Sequence, residues 1–273
     1  MPMHAPLPTP PARRPIGTAI QVSIVIHVLG LLLLLQWRFW PLSLAMIVIN
    51  HLVLVAAGLW PRSTLLGPNQ RRLSTRAAAA GQVALTIDDG PDPLVTPQVL
   101  DLLDRFNCKA TFFCIGERIA AHSDIARDIA RRGHQIANHT QHHPSSFSLM
   151  GPGGMRREIA QAQNAIAAVT GEPPQYFRAP AGLRNPFLEP VLRAGNLRLV
   201  SWTRRGFDTV TNDPGLVLAR LTQNLRAGDI LLLHDGHAAR TADGTAVILK
   251  VLPGLLEAVV GARLAPVTLS GAL

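Results

Sequence analysis

From residue 82 onward, short apolar runs alternate with stretches of helical periodicity, and this alternation restricts the fold more than any other feature. Strand-like runs cover 83–87, 110–115, 134–138, 176–179, 198–203, 229–234 and 265–269. Helical patterns fall between them, near 95–106, 117–132, 154–170, 186–194, 214–226 and 244–262. Gly133, Gly171, Gly195 and Gly228 stand where helix stops are expected. About seven βα units in about 190 residues predict an α/β domain with a parallel sheet, closed as an irregular barrel or open and doubly wound. In either arrangement the chemistry sits at the carboxyl ends of the strands.

Those ends are rich in chemistry. The first run stops at Asp88 and Asp89, followed by a turn built from Gly90, Pro91 and Pro93. Successive strand side chains point to opposite faces, so a tight turn is needed to aim both acids at one site. The third run ends in Asn138-His139-Thr140-Gln141-His142-His143, the fourth in Arg178-Ala179-Pro180-Ala181-Gly182. The fifth continues as Trp202-Thr203-Arg204-Arg205-Gly206-Phe207-Asp208, and the sixth ends in His234-Asp235-Gly236. Each alone is an ordinary turn or surface residue; together they describe one loaded edge. His139 and His143 are four apart, so on a helical turn or in a tight loop both imidazoles can reach one ion. With one carboxylate they form a two-His-one-carboxylate set, which leaves positions open for water and substrate. His142 falls outside that spacing, and His122 and His134 are expected to be structural or exposed.

The amino-terminal quarter has another character. Residues 1–15 are proline-rich, end in Arg13, Arg14 and Pro15, and are expected to be disordered. Two apolar runs follow, from Ile16 to about Leu35 and from about Leu42 to Trp60, joined by a turn with Trp37, Arg38, Phe39 and Trp40. Neither has a polar face, which predicts a helical hairpin spanning a membrane twice over 16–60. His27 and His51 lie equally far from the turn and should sit at one depth, beside Asn50. Arg13 and Arg14 precede the hairpin and Arg62, Arg71, Arg72 and Arg76 follow it. The positive-inside rule then puts the large domain, 82–273, on the cytoplasmic side of a bacterial-type inner membrane, with an extracytoplasmic location as the alternative. Residues 61–81 read as a basic, alanine-rich linker.

The net charge is +9 and the pI about 11.2, yet only 16% of residues are charged. With 5% aromatics and no RNA or DNA motif, nucleic acid is excluded as a partner in favour of a membrane surface or an anionic substrate. Cys108 and Cys114 are about 20 Å apart along an extended chain, too far for a disulfide, and are expected as free thiols.

Four ordered motifs carry a resemblance. Thr86-Ile87-Asp88-Asp89-Gly90-Pro91, His139-Thr140-x-x-His143, Arg178-x-Pro180-x-Gly182 and Leu232-Leu233-His234 resemble the motifs of the NodB-type polysaccharide deacetylases, carbohydrate esterase family 4. The Thr111-Phe112-Phe113 strand fits as well, and the likeness covers essentially all of 82–270. The resemblance implies a distorted (β/α) barrel that removes acetyl groups from acetylated amino sugars with a divalent metal, usually zinc. It implies that Asp89, His139 and His143 hold the metal, that Asp88 is the general base, and that His234 is the general acid. Arg178 would partner Asp88, and Asp208 would partner His234. Pro180, Ala181, Gly182 and Trp202 would shape the sugar groove. Departures from the family pattern fall in that groove: Arg205 and Thr209 stand where an acid and a Trp are frequent, and Ala181 where an aromatic is common. A catalytically inactive metal- or glycan-binding module of the same fold is the alternative.

Arg184, Arg204, Arg205 and Arg240 all follow strand ends. Either they are solvated charges or they grip a phosphate, for which guanidinium geometry is suited. With the hairpin, the second reading points to a lipid-linked anionic glycan. Phe147, Leu149 and Met150 would touch lipid or pack inside.

Overall fold

The computed structural model describes residues 16–273; the proline-rich stretch expected to be disordered, with Arg13 and Arg14, lies outside the described residues. Two antiparallel helices come first, α1 (Thr18–Leu34) and α2 (Trp40–Leu59), joined by a short 3-10 turn. Their packing is inside-out. Ser23, Gly30, Ser43 and Asn50 are buried between the helices, while Leu31, Leu35, Ile49 and Leu52 are more than 60% exposed. Asn50 Nδ2 donates to Ser23 Oγ (2.8 Å), and Ser43 Oγ donates to the Gly30 carbonyl (2.8 Å). The His27 and His51 rings, equally far from the turn in sequence, meet edge to face at 5.3 Å. Among the described residues one helix, Trp37–Leu59, is long and apolar enough to cross a membrane; α1 is shorter, at 17 residues.

The hairpin is seated on the domain rather than tethered to it. The Gly58 carbonyl accepts from the Arg184 N–H (3.2 Å), and the Ala19 N–H donates to Leu65 (3.0 Å). A Cβ on Gly58 would stand 2.2 Å from the Arg184 carbonyl oxygen, so glycine is what allows this approach.

Residues 61–81 correct the expectation of a linker. Gln70 bridges Val200, and Arg72 bridges Asp229. The buried Asp229 carboxylate accepts from Arg72 (2.6 Å) and Arg204 (2.6 Å). The basic residues that suggested a solvated tether are therefore partly consumed by an acid 157 positions away. The segment ends in α3 (Thr75–Ala79), capped by Ser74.

The domain then alternates as expected: β1 (Gln82–Asp88), α4 (Thr96–Arg105), β2 (Thr111–Cys114), α5 (Gly116–Ala121), α6 (Ser123–Arg131), β3 (Gln135–Asn138), α7 (Pro152–Thr170) and β4 (Tyr176–Phe177). It continues through α8 (Leu188–Ala194), β5 (Arg198–Leu199), β6 (Arg204–Arg205), α9 (Pro214–Thr222), β7 (Ile230–His234), α10 (Val247–Gly261) and β8 (Ala265–Val267). All pairings are parallel, in the order β5-β4-β3-β2-β1-β7-β6, with β8 added to β1. This is the distorted barrel, left open between β5 and β6.

Two expectations change at that opening. The strand foreseen over 198–203 stops at Leu199, and a second short strand follows at Arg204–Arg205, because the chain crosses from the β4 edge to the β7 edge between them. Gln70 occupies the gap, donating to Leu199 (2.9 Å) and accepting from Ser201 (2.8 Å). The last strand does not close the barrel; β8 pairs with Gln82–Ala84, the half of β1 that β2 leaves free. The helix expected over 117–132 is likewise broken, at His122.

The strand β1 is buried at six of seven positions, as a central parallel strand must be. Its apolar outer face packs under α4, α9 and α10 in the main core, which includes Val99, Leu103, Val217, Leu221, Val251 and Leu255. Cys108 and Cys114 are buried free thiols.

Removing one partner of a buried ion pair leaves uncompensated charge behind. We expect Asp229→Asn to destabilise the protein by about 3 kcal/mol, read as a lower denaturant midpoint of the detergent-solubilised full chain. A change under about 0.5 kcal/mol would show that residues 61–81 do not hold the barrel opening.

Candidate active site

The site is built at the carboxyl end of β1. Asp88 is its last residue, in register with His234 on β7 and Phe113 on β2. The next residue, Asp89, has φ 75°, a left-handed conformation rare outside glycine. That reversal turns both carboxylates toward one cavity, and both are nearly inaccessible, at 2% and 4% exposure. A second reversal shapes the loop after β3, where Thr140 and His143 have φ 69° and 50°. The Thr140 hydroxyl accepts from the His143 N–H (3.0 Å), tightening the turn. His139 and His143 thus converge through a loop rather than a helical turn, with ring centroids 4.7 Å apart.

Three ligand-type atoms meet there. His139 Nε2 lies 3.2 Å and His143 Nε2 3.4 Å from Asp89 Oδ1, and the three atoms lie within 4.8 Å of one another. His139 Nδ1 is 2.8 Å from the Arg178 carbonyl, which only accepts. Nδ1 therefore carries a proton, which leaves Nε2 as the ring nitrogen facing Asp89. Asp89 Oδ1 is buried without a hydrogen-bond partner. A buried orphan oxygen between two imidazole nitrogens fits a bound divalent cation. Charge agrees. Burial opposes the charged form of His139, but Asp88 and Asp89 outweigh it and raise its pKa, so the pocket attracts positive charge. Burial also raises the Asp89 carboxyl, yet contacts with His139 and His237 hold it well below the usual range. Burial, with His139 beside it, pushes His143 down to about 4, leaving a neutral ring.

Two buried pairs flank this triad. Arg178 Nη1 donates to Asp88 Oδ1 (2.6 Å) and Thr86 Oγ1 (2.9 Å), and Nη2 donates to the Ser201 carbonyl (2.9 Å). Its guanidinium lies 4.0 Å over the Phe113 ring. Burial pulls the Arg178 pKa below its ordinary value, against the attraction of Asp88. On the other flank the fully buried Asp208 accepts from the His234 backbone N–H (2.7 Å) and sits 2.9 Å from His234 Nδ1. Burial would lower the His234 pKa, but the Asp208 hydrogen bond outweighs it and raises it. With Nδ1 occupied, His234 presents Nε2 to the cavity.

The cavity has a volume of about 260 Å³ and brings together Asp88, Asp89, His139, His143, His234, Ala181, Gly182, Trp202 and Arg205. Arg178 and Asp208 stand behind it, and the buried Pro180 supports the loop that carries Ala181. Gly182, at φ 74°, fits against both Pro61 and Trp202, where a Cβ would come within 2.7 Å. The arginine expectation divides. Arg205 lines the cavity; Arg184 does not, being 3% exposed and bound to the Ser63 carbonyl (2.5 Å) under the hairpin. Burial lowers the Arg184 pKa to about 10. Arg204 is committed to Asp229 and to the Gln223 and Asn224 carbonyls, and Arg240 to the Gly244 carbonyl (2.8 Å). Of the loop expected to touch lipid, Phe147 is buried and Leu149 is 85% exposed.

His237 carries no sequence signal of its own, and Asp235, present at the sixth strand end, has no role assigned from sequence. His237 lines the cavity, with Nδ1 3.2 Å from Asp89 Oδ2 and Nε2 3.0 Å from Arg118. Asp235 is buried behind Gly90, 2.5 Å from the Thr96 hydroxyl, and burial raises its pKa to about 7. Their closeness in sequence to His234 is the signal that was available.

The polysaccharide deacetylase family model matches residues 75–200. A peptidoglycan-N-acetylglucosamine deacetylase of Bacillus cereus is 33% identical over 63% of this chain and 81% of its own length. A chitooligosaccharide deacetylase of a Bradyrhizobium species is 34% identical over 57% and 71%. Among solved structures, the Bc1960 peptidoglycan N-acetylglucosamine deacetylase superposes with a TM-score of 0.68 at 26% identity, covering 75% of this chain and 92% of its own. Fold, motif order and relatives agree, and the chain belongs to the NodB-type polysaccharide deacetylases, carbohydrate esterase family 4.

Proposed function

We propose that this protein is a membrane-anchored, metal-dependent hydrolase that removes an N-acetyl group from an amino sugar of a glycan. One observation carries the reading: the orphaned Asp89 Oδ1 between two imidazoles, with Asp88–Arg178 on one flank and His234–Asp208 on the other. Asp89, His139 and His143 would hold a divalent cation such as zinc. When bound, it supplies Lewis-acid polarisation of the amide carbonyl and eases deprotonation of water.

The chain's own groups supply the rest. Asp88, held by Arg178, accepts the proton of the attacking water. The backbone N–H of Ala181, a cavity residue at φ 53°, donates to the oxyanion. His234, kept protonated by Asp208, gives its proton to the departing amine. Arg178 and Asp208 stand behind the cavity: Arg178 positions Asp88, and Asp208 favours the protonated form of His234. An inactive binding module would have no use for two such pairs.

The inside-out hairpin supports anchoring by two spans, since its exposed face is apolar along both helices. Both hairpin ends emerge on one side, and the arginine count favours the cytoplasm. An accessibility test on a carboxyl-terminal tag in intact cells decides this; a tag reached without permeabilisation would place the domain outside.

Three further outcomes are expected. Asp88→Asn lowers acetate release from an acetylated chito-oligomer by roughly 10²–10⁴-fold while elemental analysis still finds bound metal. His139→Ala loses the metal itself; metal retained in that variant would overturn the ligand assignment. Asp208→Asn removes the interaction that raises the His234 pKa, so the alkaline limb of the kcat/KM profile moves to lower pH. An unmoved limb would remove His234 from the acid role.

A further inference from the structure

The catalytic cavity does not end at the sugar-sized pocket. Trp202 and Arg205 are shared with a second cavity of about 370 Å³, which reaches Trp60 and Arg62. Trp60, Arg62, Trp202 and Thr203 are shared in turn with a third, of about 580 Å³, whose walls include Arg71, Arg72 and Arg226. These shared walls make one continuous groove, running from the Asp89 and histidine triad to the base of the hairpin.

Its chemistry is one-signed. No aspartate or glutamate lines the second or third cavity. Arg72 is neutralised by Asp229, but Arg62, Arg71, Arg205 and Arg226 have no carboxylate partner among the described residues. Arg62 and Arg71 make only long bonds to carbonyls, at 3.3 and 3.4 Å. The Arg205 guanidinium is held between Trp202 and Phe207, at 5.5 and 5.0 Å, and its buried Nε has no partner. Guanidinium groups without carboxylates, preset along a groove, suit a phosphate ester. Trp60, a wall of both outer cavities, is 58% exposed and directly follows the membrane-length helix, where an interfacial aromatic marks headgroup depth. Arg205 and Arg62 therefore line the way from the reacting centre to Trp60, and Arg71 lies in the adjoining cavity.

Resting on the deacetylase reading, we propose that the substrate is an acylated amino sugar joined through phosphate to a membrane lipid. The sugar occupies the catalytic cavity, the phosphate lies against Arg205, Arg62 and Arg71, and the lipid chain leaves past Trp60 beside the hairpin. The hairpin is then part of the substrate site as well as an anchor. Its seat on Arg184 and the Gly182 contact with Pro61 fix the groove relative to the catalytic loop.

The test uses the full chain in nanodiscs. Binding and acetate release are measured with three probes: an N-acetylglucosaminyl phosphoryl polyprenol, a neutral dodecyl N-acetylglucosaminide, and soluble tetra-N-acetylchitotetraose. The phosphoryl lipid should bind roughly tenfold or more tightly than the neutral glycoside, less so in high salt. The double variant Arg62→Gln/Arg71→Gln should remove that preference, and Arg62→Lys/Arg71→Lys should restore much of it. Equal binding of charged and neutral lipids would overturn the proposal, as would unaltered preference in the glutamine variant. Displacement of the phosphoryl sugar by equimolar phosphatidylglycerol would reduce the arginines to a generic headgroup contact and also overturn it. Arginine-dependent binding without acetate release from any probe would instead overturn the deacetylase reading and leave the groove standing. Acetate release indifferent to charge would do the reverse.

Discussion

The site depends on the buried guanidinium of Arg178. It reaches Asp88 and Thr86 on β1 and the Val200 and Ser201 carbonyls after β5, while its own carbonyl holds His139. A charge this deep is tolerable only when every face is satisfied, and here carboxylate, hydroxyl, carbonyls and the Phe113 ring do so. One residue thereby ties Asp88, the orientation of the His139 imidazole and the open edge of the barrel. The opening between β5 and β6 is where a parallel barrel is weakest, and both Arg178 and the Gln70–Arg72 segment act there. Stability and chemistry are thus vested in the same few contacts.

The barrel and the hairpin are joined by the same economy of space. Glycine at 58 lets the second helix approach the Arg184 carbonyl, and glycine at 182 lets the catalytic loop approach Pro61 and Trp202. The hairpin hides its polar groups and displays its apolar ones, the reverse of the barrel. Joined so closely, the two parts bring the base of the hairpin to the groove that leads from the cavity. That arrangement, rather than net charge alone, gives the excess of arginine a local meaning.

Several arginines show how far sequence position misleads. Arg184, Arg204, Arg205 and Arg240 all follow strand ends, yet only Arg205 lines the catalytic cavity. Arg184 is buried under the hairpin and Arg204 is drawn to Asp229 at the amino end of β7. Conversely, Arg62 and Arg71 lie in a stretch that reads as a tether, and the fold brings them to the groove. Long flexible side chains find partners that no local pattern encodes.

Much of the site was legible because its elements are local. The strand-ending Asp88-Asp89-Gly90 turn, the His139–His143 spacing and His234 at a strand end are short-range signals, each carried by a strand end or the turn that follows it. The alternation of strands and helices was legible for the same reason, since burial imposes periodicity residue by residue. Tertiary structure alone decided where the barrel opens, that residues 70–73 fill the opening, that the strand expected over 198–203 stops at Leu199, and that His237 and Asp235 join the site. These outcomes rest on pairings between residues more than a hundred positions apart, such as Gln70 with Val200 and Arg72 with Asp229. Such pairings depend on which unsatisfied backbone and charge remain once the sheet has formed, a property of the assembled fold and of no single segment.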